Sequence, residues 1–309
     1  MILTVALNAA LDVTYEVDAL VPHSTHRVTN ARARAGGKGI NVASVLHALG
    51  IPVIATGLVG GPTGDLIVGD LVARGIEHDF VAVRGDSRRT VNVVSAATGD
   101  STIFNEAGPV VGQDEWSAAL ATIGSLIESH AVTVVALSGS LPRGLAHTAY
   151  GQLVAVARDC GALTVVDVGG AVLAAAVSAH PDVVKPNRAE LAAATGLADL
   201  VAGAAALRAI GARDVVVSAG AEGATVVTAA GLIVSGHAGA RLEGNPTGAG
   251  DAMVAAICAG LVAGDPWPTI LAEGVAWSAA AVLEPLAGDL DVGEVARLRS
   301  TTVVTSGDS

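Results

Sequence analysis

The stretch Gly244-Asn245-Pro246-Thr247-Gly248-Ala249-Gly250-Asp251, running straight into Ala252-Met253-Val254-Ala255-Ala256-Ile257-Cys258-Ala259, decides how the chain is read. Gly248 and Gly250 flank one small residue, so backbone N–H groups there can approach a ligand with no side chain in the way. The apolar run reads as a buried helix over 252–263, with Gly264 as its C′ residue and Pro266 just beyond. The amides of Gly248, Ala249 and Gly250 then belong to a helix N-terminus, where unpaired donors and the positive end of the dipole favour an anion. Asp251 brings a carboxylate into the same turn. It does nothing to hold phosphate, but it is placed to take the proton of a hydroxyl that attacks one. A plain helix start with an ordinary first-turn acid would carry the same residues.

Two other phosphate loops are excluded. A P-loop requires Gly-x-x-x-x-Gly-Lys-Ser/Thr, and no lysine follows Gly250. A dinucleotide fingerprint needs a third glycine where Met253 stands, and it belongs to a first βα turn. Gly57-Leu58-Val59-Gly60-Gly61 has the wrong glycine spacing for that role and no acid at the end of the next strand.

The rest of the chain alternates between β runs and helix patterns. Helices are expected at 40–49 (closed by Gly50), 65–74, 113–129, 146–159, 188–195 and 202–210, besides 252–263. The β runs are Ile2–Leu7, Val53–Val59, Val132–Leu137, Leu163–Val168, Val183–Lys185 and Val215–Ser218. Val132–Leu137 and Val215–Val217 are continuously apolar, as strands covered on both faces must be. The pattern predicts an α/β fold: a doubly wound, mainly parallel sheet with helices on both sides. Ligands then bind outside the carboxyl ends of the strands, where the Gly139, Asn187, Gly220 and Gly248 turns fall. Four alternating segments stand apart: Val13–Val17, His26–Thr29, Thr90–Ser95 and Thr102–Asn105, the last two joined through Thr98-Gly99-Asp100. They predict a small second sheet. No internal repeat is visible, and the polar tail Thr305–Ser309 is expected to fray.

The 309 residues suffice for a sizeable core, and 51% are hydrophobic while 2% are aromatic, so that core must be packed with Ala, Val and Leu. A formal charge of −12 argues against nucleic acid and anionic membrane surfaces, and means that an anionic substrate needs a local cationic pocket. Cys160 and Cys258 lie in apolar helix patterns and read as reduced thiols rather than a disulfide or zinc site. No run reaches 18 apolar residues, and residues 1–11 lack a basic leader, so a cytoplasmic protein is expected.

Gly248-Ala249-Gly250-Asp251 resembles the C-terminal signature of the PfkB (ribokinase-like) carbohydrate kinases, and Gly36-Gly37-Lys38-Gly39-Ile40-Asn41-Val42-Ala43 resembles their N-terminal one. Ser138-Gly139-Ser140-Leu141-Pro142 and Lys185-Pro186-Asn187-x-x-Glu190-Leu191 are similar to the family's internal motifs, in the family's order. Asn8-Ala9-Ala10-Leu11-Asp12 is similar to the Asn-Pro-Ala-Leu-Asp opening of the 1-phosphofructokinase and tagatose-6-phosphate kinase branch, with Ala9 for proline. The likeness spans nearly the whole chain. It implies one ribokinase-like domain over residues 1–309, with lid strands inserted at about 12–34 and 88–106 that cover a sugar site and form a homodimer surface.

On this resemblance the substrates are ATP with Mg²⁺ and a sugar phosphate. Asp251 would be the general base, and the amides of Gly248, Ala249 and Gly250 would stabilise the transferred phosphoryl group. Lys185, Asn187, Ser218, Gly220 and Gly223, with Gly248 and Gly250, would hold the nucleotide, and Ala276, Ala279 and Ala280 would leave room for adenine. Asn187 and Glu190 would order Mg²⁺ through water, since Mg²⁺ keeps much of its hydration; Asn-x-x-Glu is equally a capping box. On the sugar side stand Asp12, which can accept two hydroxyl hydrogen bonds, and Gly36, Gly37, Lys38, Asn41 and Ser138, with Ser140 weaker. The phosphosugar branch carries Thr-Arg-x-Asn-x-Lys on a lid strand. Aligned on Arg89, the segment Arg88-Arg89-Thr90-Val91-Asn92-Val93 keeps the arginine but shows valines in place of Asn and Lys. Arg89 is then the expected phosphate anchor, helped by Arg27 or Arg88, with Arg32, Arg34 and Lys38 as further charge. Kinases of unphosphorylated sugars or nucleosides, and a catalytically silent sensor of the same fold, stay open.

Overall fold

Along Ile2–Leu7 successive side chains enter opposite halves of the core: Ile2 and Ala6 join one, Leu3, Val5 and Leu7 the other. A strand that buries both faces has to sit inside a sheet covered on both sides. The structure, a computed structural model, describes residues 1–28 and 30–308. It begins with β1 (Ile2–Ala6), β2 (Ala10–Val17), β3 (Asn30–Gly36), α1 (Lys38–Ala48), β4 (Val53–Val59), α2 (Gly61–Ala73), β5 (His78–Ala82), β6 (Arg88–Ser95) and β7 (Ser101–Asn105). Next come α3 (Gln113–Ser129), β8 (Val134–Ser138), α4 (Ala149–Asp159), β9 (Leu163–Asp167), α5 (Gly170–Val177), β10 (Val183–Val184), α6 (Arg188–Thr195), α7 (Leu200–Ile210) and β11 (Asp214–Ser218). After a 3₁₀ turn at Gly220–Glu222 follow β12 (Ala224–Val227), β13 (Leu232–His237), α8 (Ala249–Ala263), α9 (Trp267–Val282), α10 (Val292–Thr301) and β14 (Val303–Asp308).

The main sheet has the order β14-β13-β12-β11-β10-β9-β8-β1-β4-β5. Strands β11 to β5 run parallel, and β12, β13 and β14 add an antiparallel edge. Helices α1, α2, α8, α9 and α10 bury residues in one half of the core, and α3 to α7 in the other. Each large apolar side chain buried between sheet and helices contributes about 1.5–3 kcal/mol relative to exposure. The pair α8–α9 packs through small residues: a methyl at Gly260 would meet Ile270, and one at Gly274 would overlap the Met253 sulfur. That closeness fixes the axis of α8, and with it the turn from which the helix starts.

The second sheet, β3-β2-β6-β7, is separate from the main one, with Leu11 of β2 and Ala35 of β3 reaching into the core. Its centre is a parallel pairing of β2 with β6, flanked by antiparallel β3 and β7.

Three local readings are corrected. The strand expected at His26–Thr29 is β3, Asn30–Gly36; residues 25–28 are irregular and Thr29 lies outside the described residues. The tail does not fray: Val303–Asp308 pairs along its length with Leu232–His237, and Val304 packs on the core, while Ser309 lies outside the described residues. Finally, α5, α9, α10, β5, β12 and β13 carry no strong local signal and were not expected. Cys258 is buried and Cys160 half-buried, both as free thiols. Among the described residues no single helix is long and apolar enough to cross a membrane.

Candidate active site

Helix α8 begins at Gly248, whose φ of 92° is the left-handed conformation glycine adopts freely, and no side chain caps the helix. The Ala249 amide donates to the Pro246 carbonyl at 3.3 Å, so it is not free as the sequence suggested. Among the described residues nothing accepts a hydrogen bond from the next two amides, those of Gly250 and Asp251. These two donors, at the positive end of a 15-residue helix, make a candidate anion site.

The Asp251 carboxylate is buried, and Asn41 Nδ2 donates to its Oδ2 at 2.8 Å. Asn41, expected on a sugar hydroxyl, thus holds the acid and also lines the main cavity. Burial first, and then the nearby charge of Asp167, push the Asp251 carboxyl up to about 7, against the pull of Asn41, Lys38 and Lys185. A carboxylate that titrates near neutrality suits general-base work at physiological pH.

Lys185 is buried rather than an exposed strand-end lysine. Its Nζ lies 3.3 Å from Asp167 Oδ1, and Lys38 Nζ lies 3.2 Å from Oδ2 of the same carboxylate. A methyl at Gly250 would sit 3.5 Å from Lys185 Nζ, so this ammonium stands over the anion site. Burial works against the charge on Lys38, but Asp167, Asp251 and Glu190 outweigh it and raise its pKa.

Asn187 caps α6 in a closed capping box. Its side chain accepts from the Glu190 amide, and Glu190 Oε2 accepts from the Asn187 amide, both at 2.9 Å. The other Glu190 oxygen faces Gly169, where a methyl would come within 3.1 Å. Asn187 and Glu190 line the same cavity as Asp167, whose Oδ1 is buried without a hydrogen bond. One open Glu190 oxygen beside a half-satisfied carboxylate fits a hydrated Mg²⁺ brought in with phosphates, and no cluster of three or more ligands is present among the described residues.

The second sheet supplies the other wall. Asp12 pairs with Arg34 and Thr90 across the strands, and side chains alternate, so Asp12, Arg34, Arg88 and Thr90 share one face. Burial raises the pKa of Asp12, opposed by the neighbouring Thr90 hydroxyl, the charges of Arg88 and Arg34, and the Gly37 amide. Gly36 lies directly beneath, where any Cβ would overlap the Asp12 carboxylate. Arg88 donates from Nε to the Asn8 carbonyl at 3.0 Å and lines the cavity. Arg89 is exposed on the opposite face, together with Val91 and Val93, and does not line it. Arg27 is exposed on the loop before β3 and is not brought in either. The arginine of β6 that lines the cavity is therefore Arg88, with Thr90 and Asn92 at the two following positions of its face.

One cavity of about 710 Å³ joins all this, from Asp12 and Arg88 past Asp251 to Ser218, Gly220 and Gly223. Ala279 lines its far end, whereas Ala276 and Ala280 belong to the core. A second cavity of about 470 Å³ shares Lys38, Gly37 and Arg88 with the first and is walled by Asn8, Ser138 and Ser140. Asn8 Nδ2 donates to Ser140 Oγ at 3.1 Å, and the Ser138 hydroxyl is buried with no partner. A buried carboxylate, unpaired helix N-terminal amides with a lysine above them, and an arginine lining the same cleft are the kinds of group that moving a phosphoryl group onto a hydroxyl requires.

Residues 5–292 match the model of the pfkB family of carbohydrate kinases. The chain belongs to that family. This pfkB kinase is 38% identical to a 1-phosphofructokinase of Rhodobacter capsulatus, over 83% of its own length and 82% of the relative's. It is 39% identical to a 1-phosphofructokinase of Xanthomonas campestris pv. campestris, over 84% of each chain. Its fold is similar to that of Escherichia coli phosphofructokinase-2 in complex with fructose-6-phosphate, with a TM-score of 0.87, 26% identity and coverage of 97% and 98%.

In this pfkB kinase the sequence reading missed Asp167, Thr90, Asn105 and the loop around Arg241 and Leu242, all of which line the main cavity. Asp167 ends an apolar strand just before Gly169-Gly170 and a helix, the same strand-end pattern that marks Asn187 and Gly220. That pattern was the available signal.

Proposed function

We propose that this pfkB kinase is an ATP- and Mg²⁺-dependent 1-phosphofructokinase, transferring the γ-phosphoryl group of ATP to a free hydroxyl of a ketohexose phosphate, fructose 1-phosphate first among them. The observation that carries the reading is Asp251, a buried carboxylate raised to about 7, sharing one cavity with Arg88. Arg88 supplies a planar, doubly donating group for the phosphate the substrate already bears, with Ser140 and Lys38 beside it. Asp12 accepts hydrogen bonds from sugar hydroxyls. Asp251 takes the proton of the attacking hydroxyl, while the free amides of α8 and Lys185 meet charge gathering on the phosphoryl oxygens. Asn187 and Glu190 hold the hydration waters of Mg²⁺, whose charge offsets that of the nucleotide phosphates. The identity to two 1-phosphofructokinases over most of the chain supports the choice of substrate.

The reading extends to a cytoplasmic homodimer joined through the second sheet, whose β7 exposes Ile103 and Phe104 while the loop before β3 exposes Leu20, Val21 and Val28. Light scattering on the wild type and on a Phe104→Asp variant checks it; an unchanged mass would remove the lid from the interface.

A coupled ADP-release assay across fructose 1-phosphate, fructose 6-phosphate, tagatose 6-phosphate, free ketohexoses and nucleosides tests the activity. The highest kcat/KM is expected for fructose 1-phosphate. Preference for a free sugar or nucleoside would overturn the substrate class, and no ADP release with any of them would leave a sensor.

A further inference from the structure

Asp167 occupies the last position of β9 with 1% of its surface exposed. Its oxygens serve different partners: Oδ2 lies 3.2 Å from Lys38 Nζ, and Oδ1 3.3 Å from Lys185 Nζ. The lysines come from the first residue of α1 and the residue after β10, so one carboxylate ties together two elements that approach the anion site separately. Among the described residues neither lysine forms another ion pair. The approach of Lys185 is off the hydrogen-bonding direction, which leaves Oδ1 buried beside the cleft without a hydrogen bond. A half-satisfied buried carboxylate is costly to a fold. Its place beside Asp251, in the same cavity, points to a task.

We propose that Asp167 is a positioning residue for phosphoryl transfer: it clamps the ammonium groups of Lys38 and Lys185 beside the α8 N-terminus and keeps both from pairing with Asp251. The proposal rests on the kinase reading above. Asp251 is faced by Asn41 and Lys38 from α1, by Asp167 from β9 and by Lys185 after β10, while Glu190 of α6 acts on Lys38. With Asp167 replaced by a neutral side chain, both lysines lose their anchor, and Asp251, on which both already act, is an anion they can turn to. A base paired with an ammonium holds its own proton less tightly and takes one from a hydroxyl less readily. Asp167 therefore directs two positive charges toward the transferring group and away from the base.

The test is the pH profile of kcat/KM for fructose 1-phosphate at saturating ATP and Mg²⁺, comparing wild type with Asp167→Asn. The acid limb is expected to move about one unit toward acid pH, as loss of a like charge beside the base requires. The plateau is expected to fall about 10- to 100-fold as the lysines lose their geometry. Because two unanchored lysines can stop the chain folding, the same comparison is made between Lys38→Met and the double variant Lys38→Met/Asp167→Asn. Lys38→Met alone should move the limb toward alkaline pH, and adding Asp167→Asn should move it back toward acid. If the limb stays in place in both backgrounds while only thermal stability falls, Asp167 is structural and the proposal is overturned. A wild type with no activity on any ketohexose phosphate would instead defeat the kinase reading, so the two failures are distinguishable.

Discussion

Asn41 Nδ2 and Asp251 Oδ2 are 2.8 Å apart across 210 residues of sequence, joining the first turns of α1 and α8. The amide occupies one oxygen of the carboxylate and leaves the other to the cleft. Replacing Asp251 with Asn should keep nucleotide binding, measured by calorimetry, and lower kcat by about 10²–10⁴, the usual worth of a positioned general base. Activity within tenfold of wild type would show that Asp251 is not the base.

The same carboxyl makes a stability prediction with a definite sign. Its pKa is raised from 3.8 to about 7 on folding, so between these values the folded chain holds a proton the unfolded chain has lost. Stability from this group is therefore present at low pH and lost as pH rises through about 7. Asp251→Asn removes the penalty and should raise Tm at pH 8 by about 5 °C while leaving it nearly unchanged at pH 4. Equal shifts at both pH values would mean the acid is not held protonated by its surroundings.

Arg88 and Arg89 are neighbours in sequence on opposite faces of β6. Arg88→Ala should raise KM for fructose 1-phosphate by roughly 10- to 200-fold, corresponding to about 1.5–3 kcal/mol for a charge-assisted bond, with KM for ATP little changed. Arg89→Ala should leave both within about twofold, as exposed surface changes usually do. The opposite ranking would restore Arg89 as the anchor.

Glu190 closes a capping box and also faces the cleft. Glu190→Gln preserves the cap but removes the charge that attracts Mg²⁺. Tm should stay within about 1–2 °C of wild type, while the Mg²⁺ concentration for half-maximal rate rises roughly tenfold. An unmoved Mg²⁺ dependence would leave Glu190 as a cap alone.

Gly36 has no room for a side chain because the Asp12 carboxylate occupies that space. Gly36→Ala should displace Asp12 and raise KM for the sugar phosphate at least tenfold, with the thermal transition still cooperative. Unaltered sugar kinetics would mean that Asp12 does not touch the sugar.

How much of this could be read from the chain depends on how local each cause is. The start of α8 was legible because Gly248, Gly250 and Asp251 carry their chemistry within one turn, and the capping box at Asn187 and Glu190 is equally local. Asp167 was not, since what makes it matter is Lys38, 129 residues away. The arginine of β6 that lines the cavity is Arg88 and not the expected Arg89. Alternation shows that a strand has two faces, but the pairing that decides which face is inward belongs to β2 and β7, and a one-residue slip exchanges the faces. α5 escaped because Gly170–Val177 is apolar all round and has no polar stripe to set a helical period. β14 escaped because its pairing is a property of β13.

The parallel pairing of β2 with β6 also bears on the order of folding. Ala10 must meet Arg88, and no hairpin can bring them together. β1 leads into β2 while β4 and β5 lead toward β6, so the lid's central pairing forms after these strands have met in the main sheet. Lid assembly should thus lag behind the core on refolding, as non-local contacts do. In a pulsed hydrogen-exchange experiment the amides of β1, β4 and β8 should gain protection before those of β2 and β6. Catalytic competence should return with the second set, so that a refolding chain passes through a state with a native core and no place for sugar.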